Sequence, residues 1–144
     1  MRNPYTDLQK AFQYLECSAR QRGAQDCCGP LPHLLRGGDS DRALRDYVFC
    51  LLLVSAVAQF ELDLGQIRGV PGFQSTWRLS ARLKLLRDHF RVPPAAFDAV
   101  DQIRLARNQF VHDGSTNVEA GCTKRLVPGI LVTFLHHCQH PQYR

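Results

Sequence analysis

From Val48 to Phe60 only Ser55 and Gln59 interrupt an apolar run. A segment apolar on nearly every face either crosses a bilayer or forms the middle of a helix enclosed by other helices. The run is too short for the first, so a central helix is expected and no membrane span. Asp39 or Ser40 caps this helix, which passes through Leu44, Val48, Leu51, Leu52, Ser55 and Ala58 to about Leu64, where Gly65 ends it.

The rest of the chain supplies packing partners of the same kind. Pro4 to about Arg22 predicts a first helix, with Leu8, Ala11, Phe12 and Leu15 at helical spacing and Gly23 as its stop. Its Tyr5, Lys10, Gln13 and Glu16 are expected to face outward or toward a partner. Gly23 to Asp39 reads as a long connection with one turn at Pro32 to Leu35, and Gly65 to Ser75 as a second irregular linker. Ser75 or Thr76 caps a third helix with a Leu79, Leu83, Leu86 and Phe90 stripe. Pro93-Pro94 ends it and opens a fourth helix, to about His112, with Phe97, Val100, Ile103 and Phe110 inward. A last helix is expected from about Gly121 to His137, with Pro128 in its first turns, where a proline costs least. No internal repeat and no useful strand-like alternation occurs, and 144 residues suit one core. The expectation is one all-α domain over residues 1–144, a bundle of about five helices.

Charge narrows the partner more than the fold. Eighteen Lys and Arg against thirteen Asp and Glu leave a net +5, with a pI of about 9.1, which favours polyanionic partners. On the third helix Arg78, Arg82, Lys84, Arg87 and Arg91 are read as lying opposite the leucine stripe, with Asp88 the sole acid. Such a face suits an RNA backbone, so Arg78, Arg82, Arg87 and Arg91 are candidate RNA contacts; the same pattern also describes a solvated face. The N-terminal residues carry no apolar signal core, so a cytoplasmic location and free thiols at the six cysteines are expected. Cys27-Cys28 with His33, and His136-His137-Cys138-Gln139-His140, lack the paired spacing of a zinc site, and no phosphate-cradling glycine loop occurs. No metal and no cofactor are expected.

The chemistry concentrates in Arg107-Asn108-Gln109-Phe110-Val111-His112-Asp113-Gly114, at the end of the fourth helix. Arginine holds a phosphate bidentately and stays charged, while a histidine side chain can take and return a proton. These are the groups that phosphodiester cleavage without a metal needs. Here the chain resembles the HEPN superfamily of small all-helical proteins, whose RNase members carry Arg, a polar residue, and His four to six positions beyond the Arg. Arg107, Asn108 and His112 fit that pattern. Arg82 and His89 match the spacing too, but Leu83 replaces the polar follower and no helix stop comes after His89.

At about 100° per residue Asn108 and His112 share a helix side, whereas Arg107 and His112 lie roughly 140° apart, Arg107 within the apolar arc. A buried lone Arg is costly, so that arc must open onto a groove, or a second copy must complete the site. The resemblance implies the second: a homodimer with motif helices converging on a shared cleft. It further implies an endoribonuclease in which His112 moves the proton of the 2′-hydroxyl or of the leaving 5′-oxygen. Arg107 would stabilise phosphate charge and Asn108 orient one of them, giving a 2′,3′-cyclic phosphate and a 5′-hydroxyl. Its setting would be the toxin of a toxin–antitoxin or defence pair, with an antitoxin protein as partner. Gly114 stands where some HEPN toxins carry a nucleotide-accepting Tyr, which argues against a nucleotidyltransferase partner. The alternative is a non-catalytic HEPN-like module that binds RNA, nucleotide or a protein. Glu61 and Asp63 are read as solvated charges at the end of the central helix rather than as supports for Arg107 or His112.

Overall fold

The computed structural model describes residues 3–20, 39–74, 77–114 and 126–140. Five helices follow one another: α1 (Pro4–Arg20), α2 (Asp39–Leu64), α3 (Leu79–Phe90), α4 (Pro94–Asp113) and α5 (Val127–His137), and there is no strand among the described residues. The expected all-α bundle of about five helices is what the chain forms. The expected turn at Pro32 to Leu35, the Gly23 stop and the helix start near Gly121 lie outside the described residues.

Local chemistry sets the helix ends. Asn3 accepts a hydrogen bond from the Tyr5 N–H through its Oδ1 at 3.0 Å, capping α1 ahead of Pro4. α3 starts later than Ser75 or Thr76 would place it, with Arg78 as its N-cap and no side-chain cap bond. Pro94 opens α4, its missing N–H costing nothing in a first turn. Gly114 closes α4 in the left-handed region (φ 66°), its N–H donating to the Phe110 carbonyl at 3.0 Å. The motif therefore stops where the glycine requires.

α2 is the centre of the bundle, packing against α1, α4 and α5, and α3 is held mainly by α4. Phe12, Phe49, Phe60, Leu64, Leu83, Leu86, Ile103, Leu131 and Phe134 belong to one buried cluster. Phe60 and Phe134 meet edge to face at 5.8 Å, joining α2 to α5. The apolar stretch extends further than the Val48–Phe60 run: Leu44–Leu64 is long and apolar enough to cross a bilayer by length and composition, and here 44% of it is buried in the bundle. Part of its surface stays uncovered, with Leu44, Tyr47, Leu51 and Leu62 exposed.

Two polar expectations change. Tyr5 does not face outward: it is buried, and its hydroxyl donates to Asp63 Oδ2 at 2.7 Å. Asp63 in turn is not a solvated end charge but a buried one, also accepting from Gln59 Nε2 at 3.3 Å. A carboxylate at the end of α2 ties α1 to the core because burial makes each of these hydrogen bonds costly to lose. Cys50 and Cys138 are buried thiols, and burial pushes the Cys138 thiol up to about 12, which leaves it without thiolate reactivity.

Candidate functional site

α4 presents Arg104, Arg107, Asn108 and His112 to one cavity of about 600 Å³. Their spacing, i, i+3, i+4 and i+8, forms a broad stripe on a regular helix, with Arg107 at one edge and His112 at the other. The opposite wall comes from Trp77, Arg78, Leu79, Ser80 and Arg82 around the start of α3, and Glu61 of α2 also lines the cavity. Residues of α2 and of the start of α3 thus share a cavity with the stripe. One chain brings Arg107 and His112 onto the same space, so their separation around the helix does not by itself call for a second copy.

Glu61 organises the cations. Its Oε2 lies 3.2 Å from Arg82 Nη2, and its Oε1 lies 3.4 Å from Arg107 Nη2. The expectation of a solvated Glu61 is therefore corrected: one carboxylate of α2 pairs with an arginine of α3 and an arginine of α4. Arg107 keeps 23% of its side-chain surface exposed, and Arg82 only 6%. The Nε of each guanidinium is buried without a hydrogen-bond partner. Arg104 is held by Asp101, Nε to Oδ1 at 2.8 Å, one turn back on its own helix. Among the described residues four guanidiniums line the cavity against one carboxylate, Glu61, which makes this lining strongly cationic.

The four arginines proposed to track RNA separate into two groups. Arg78 and Arg82 line the cavity with the motif. Arg87 instead lies over the Phe97 ring at 4.6 Å and pairs with Asp88 at 2.9 Å, while Arg91 caps α3 with φ 54°. Neither of these two lines the cavity. Helical angles explain the division: measured from Arg82, Arg78 is about 40° away, whereas Arg87 and Arg91 are roughly 140° and 180° away. The same angles put Arg82 only about 40° from Leu86, so it flanks the leucine stripe and is buried rather than lying opposite it.

The alternative match at Arg82 and His89 does not assemble, since His89 is exposed, packs edge to face on Phe90 at 4.7 Å, and lies outside the cavity. Three wall residues escaped the sequence reading. Arg104 was within reach, one turn before Asn108; Trp77 and Ser80 precede or open α3, and no periodicity points to them. Among the described residues no three His, Cys, Asp or Glu side chains gather as a metal-binding group, while Cys27, Cys28 and His33 lie outside those residues.

Comparison with known proteins gives no matching family model, no matching curated protein and no matching solved structure.

Proposed function

We propose that this chain is a HEPN-type endoribonuclease that works without a metal, with Arg107, Asn108 and His112 as its catalytic residues. The observation that carries the reading is the meeting of these three side chains on a single cationic cavity. The RNA 2′-oxygen attacks the adjacent phosphorus as the bond to the 5′-oxygen breaks, leaving a 2′,3′-cyclic phosphate and a 5′-hydroxyl. One proton leaves the 2′-hydroxyl and one reaches the 5′-oxygen. His112, exposed at the end of α4, serves one of these transfers and regains its starting state through water. Charge accumulating on the phosphate oxygens is met by Arg107, with Arg104 and Arg82 lining the same cavity. Asn108, one turn before His112, can hold the imidazole or the phosphate by hydrogen bonding. Purified protein incubated with varied RNAs in EDTA should yield fragments ending in a cyclic phosphate, while DNA of the same sequence survives for want of the internal nucleophile. RNA left intact under these conditions, with no growth arrest on expression in a bacterial host, would reject the reading.

The same reading carries a homodimer, and the surface offers material for one. Leu44, Tyr47 and Leu51 share a face of α2 and are 39%, 47% and 44% exposed, and Val111 of α4 is 55% exposed. Tyr47 meets Phe110 edge to face at 5.5 Å, so this face of α2 adjoins the end of α4 that carries the motif. Exposed apolar side chains grouped in this way are commonly covered by a partner. Light scattering at micromolar concentration should report twice 16.3 kDa, and Tyr47→Glu with Leu51→Glu should halve it. A wild-type protein that stays monomeric while cutting RNA would separate catalysis from dimerisation.

A further inference from the structure

We propose that the cavity holds an unpaired nucleotide of the substrate, its base stacked on Trp77 and its phosphate among the arginines, so that single-stranded RNA is bound and duplex is not. The inference rests on the endoribonuclease reading for the identity of the substrate as RNA. Its own support is separate.

Trp77 is the sole tryptophan of the chain. It lines the cavity yet keeps 39% of its surface exposed. A large aromatic surface left open beside cations, not buried for stability, suits a ligand that carries both a flat apolar face and negative charge. Nucleotides have both. Arg82 adds an independent sign: its side chain is only 6% exposed, and its Nε is buried without a partner in the cavity wall. Desolvating a guanidinium this far is unfavourable unless anionic groups compensate, and Glu61 is shared with Arg107. A phosphate supplies what the single carboxylate does not. At about 600 Å³ the cavity lies within the ~300–1,000 Å³ typical of small-ligand sites, enough for a nucleotide.

Strand state follows from stacking. In a duplex both faces of an internal base are covered by its neighbours, so Trp77 could reach one only after unstacking; an unpaired base offers its face freely. Stacking on an aromatic side chain tolerates any base. Specificity would then lie in the unpaired state and not in base identity, which suits a nuclease that cuts loops and single strands.

The lone tryptophan makes the test site-specific, because all indole emission comes from this wall. The full chain is titrated with a short single-stranded oligodeoxynucleotide, which has phosphates and bases but cannot be cut through a 2′-hydroxyl. Saturable quenching is expected, weakening as salt rises, with the matched duplex at least about tenfold weaker. With labelled oligonucleotide followed by anisotropy, Trp77→Ala should lose about tenfold or more in affinity, and Trp77→Phe, which keeps an aromatic face, should stay within a few-fold of wild type. Both variants are checked for native helix content, and Trp77→Phe keeps the test informative should the alanine variant unfold. Oligonucleotide that binds without changing the emission, equal affinity for duplex and single strand, or an unaffected Trp77→Ala would each overturn the site. Quenching without any RNA cleavage would instead remove the nuclease reading and leave the nucleotide site standing. Cleavage that ignores Trp77 would do the reverse.

Discussion

Arg107→Ala and His112→Ala should each bring RNA cleavage in EDTA down by about 10²- to 10⁴-fold, which a gel assay reads as complete loss. For His112 the loss follows from removing the group that moves the proton, and its exposure means that alanine there leaves packing untouched. For Arg107 it follows from removing the charge at the edge of the cavity opposite His112. Glu61 still pairs with Arg82 at 3.2 Å in that variant, so the bundle retains its ion pair and should unfold at nearly the wild-type temperature. His89→Ala serves as the control, because His89 is exposed and outside the cavity. Arg82→Ala does not serve as one: Arg82 lines the same cavity, and weakened cleavage is expected from it. Both main variants should relieve any growth arrest that the wild type causes. Cleavage at the wild-type rate by His112→Ala would end its assignment as the proton-transfer group.

Removal of Glu61 should produce the largest loss of stability among the polar substitutions. Glu61→Ala leaves Arg82, with 6% of its side chain exposed, holding a charge with no carboxylate beside it, and leaves Arg107 facing the same way. Breaking one partner from a buried pair typically costs about 3–5 kcal/mol; since Glu61 itself is 32% exposed, about 3 kcal/mol is expected here, or a fall of roughly 10 °C in Tm. Glu61→Gln keeps an acceptor of the same shape and should lose less. Arg82→Leu placed on the Glu61→Ala background removes the stranded charge and adds an apolar side chain next to Leu79, Leu83 and Leu86, so it should recover most of the stability. The double variant would then be stable and deficient in RNA binding. A Glu61→Ala protein that melts within about a degree of wild type would show that Arg82 escapes to solvent and that Glu61 does not hold the wall.

The helices themselves were legible from the chain. Period and punctuation are local properties, so Asp39–Leu64 could be read from its apolar run and the Gly65 that follows, and α4 from Pro94 at its start and Gly114 after its end. The motif was legible for the same reason, since Arg107, Asn108 and His112 lie within one helical segment. What periodicity settles is which arc of a helix is apolar. It does not say which polar edge meets a neighbour, and that depends on how α2, α3 and α4 cross.

The crossing decided the rest. It set Glu61 against Arg82, 21 residues along the chain, and against Arg107 on the next helix, turning an apparent end charge into the brace of the cationic wall. It assigned Arg78 and Arg82 to the cavity while Arg87 went to the Phe97 ring, a division the helical angles permit but do not orient. It drew Tyr5 inward to Asp63, since the hydroxyl could be buried only where a second element offered a carboxylate. The pattern of the chain determined five helices and a cation–amide–histidine stripe on the fourth. Only packing made that stripe one wall of a cavity, because a helix of 20 residues presents a convex surface and a concave site needs a neighbouring element against it.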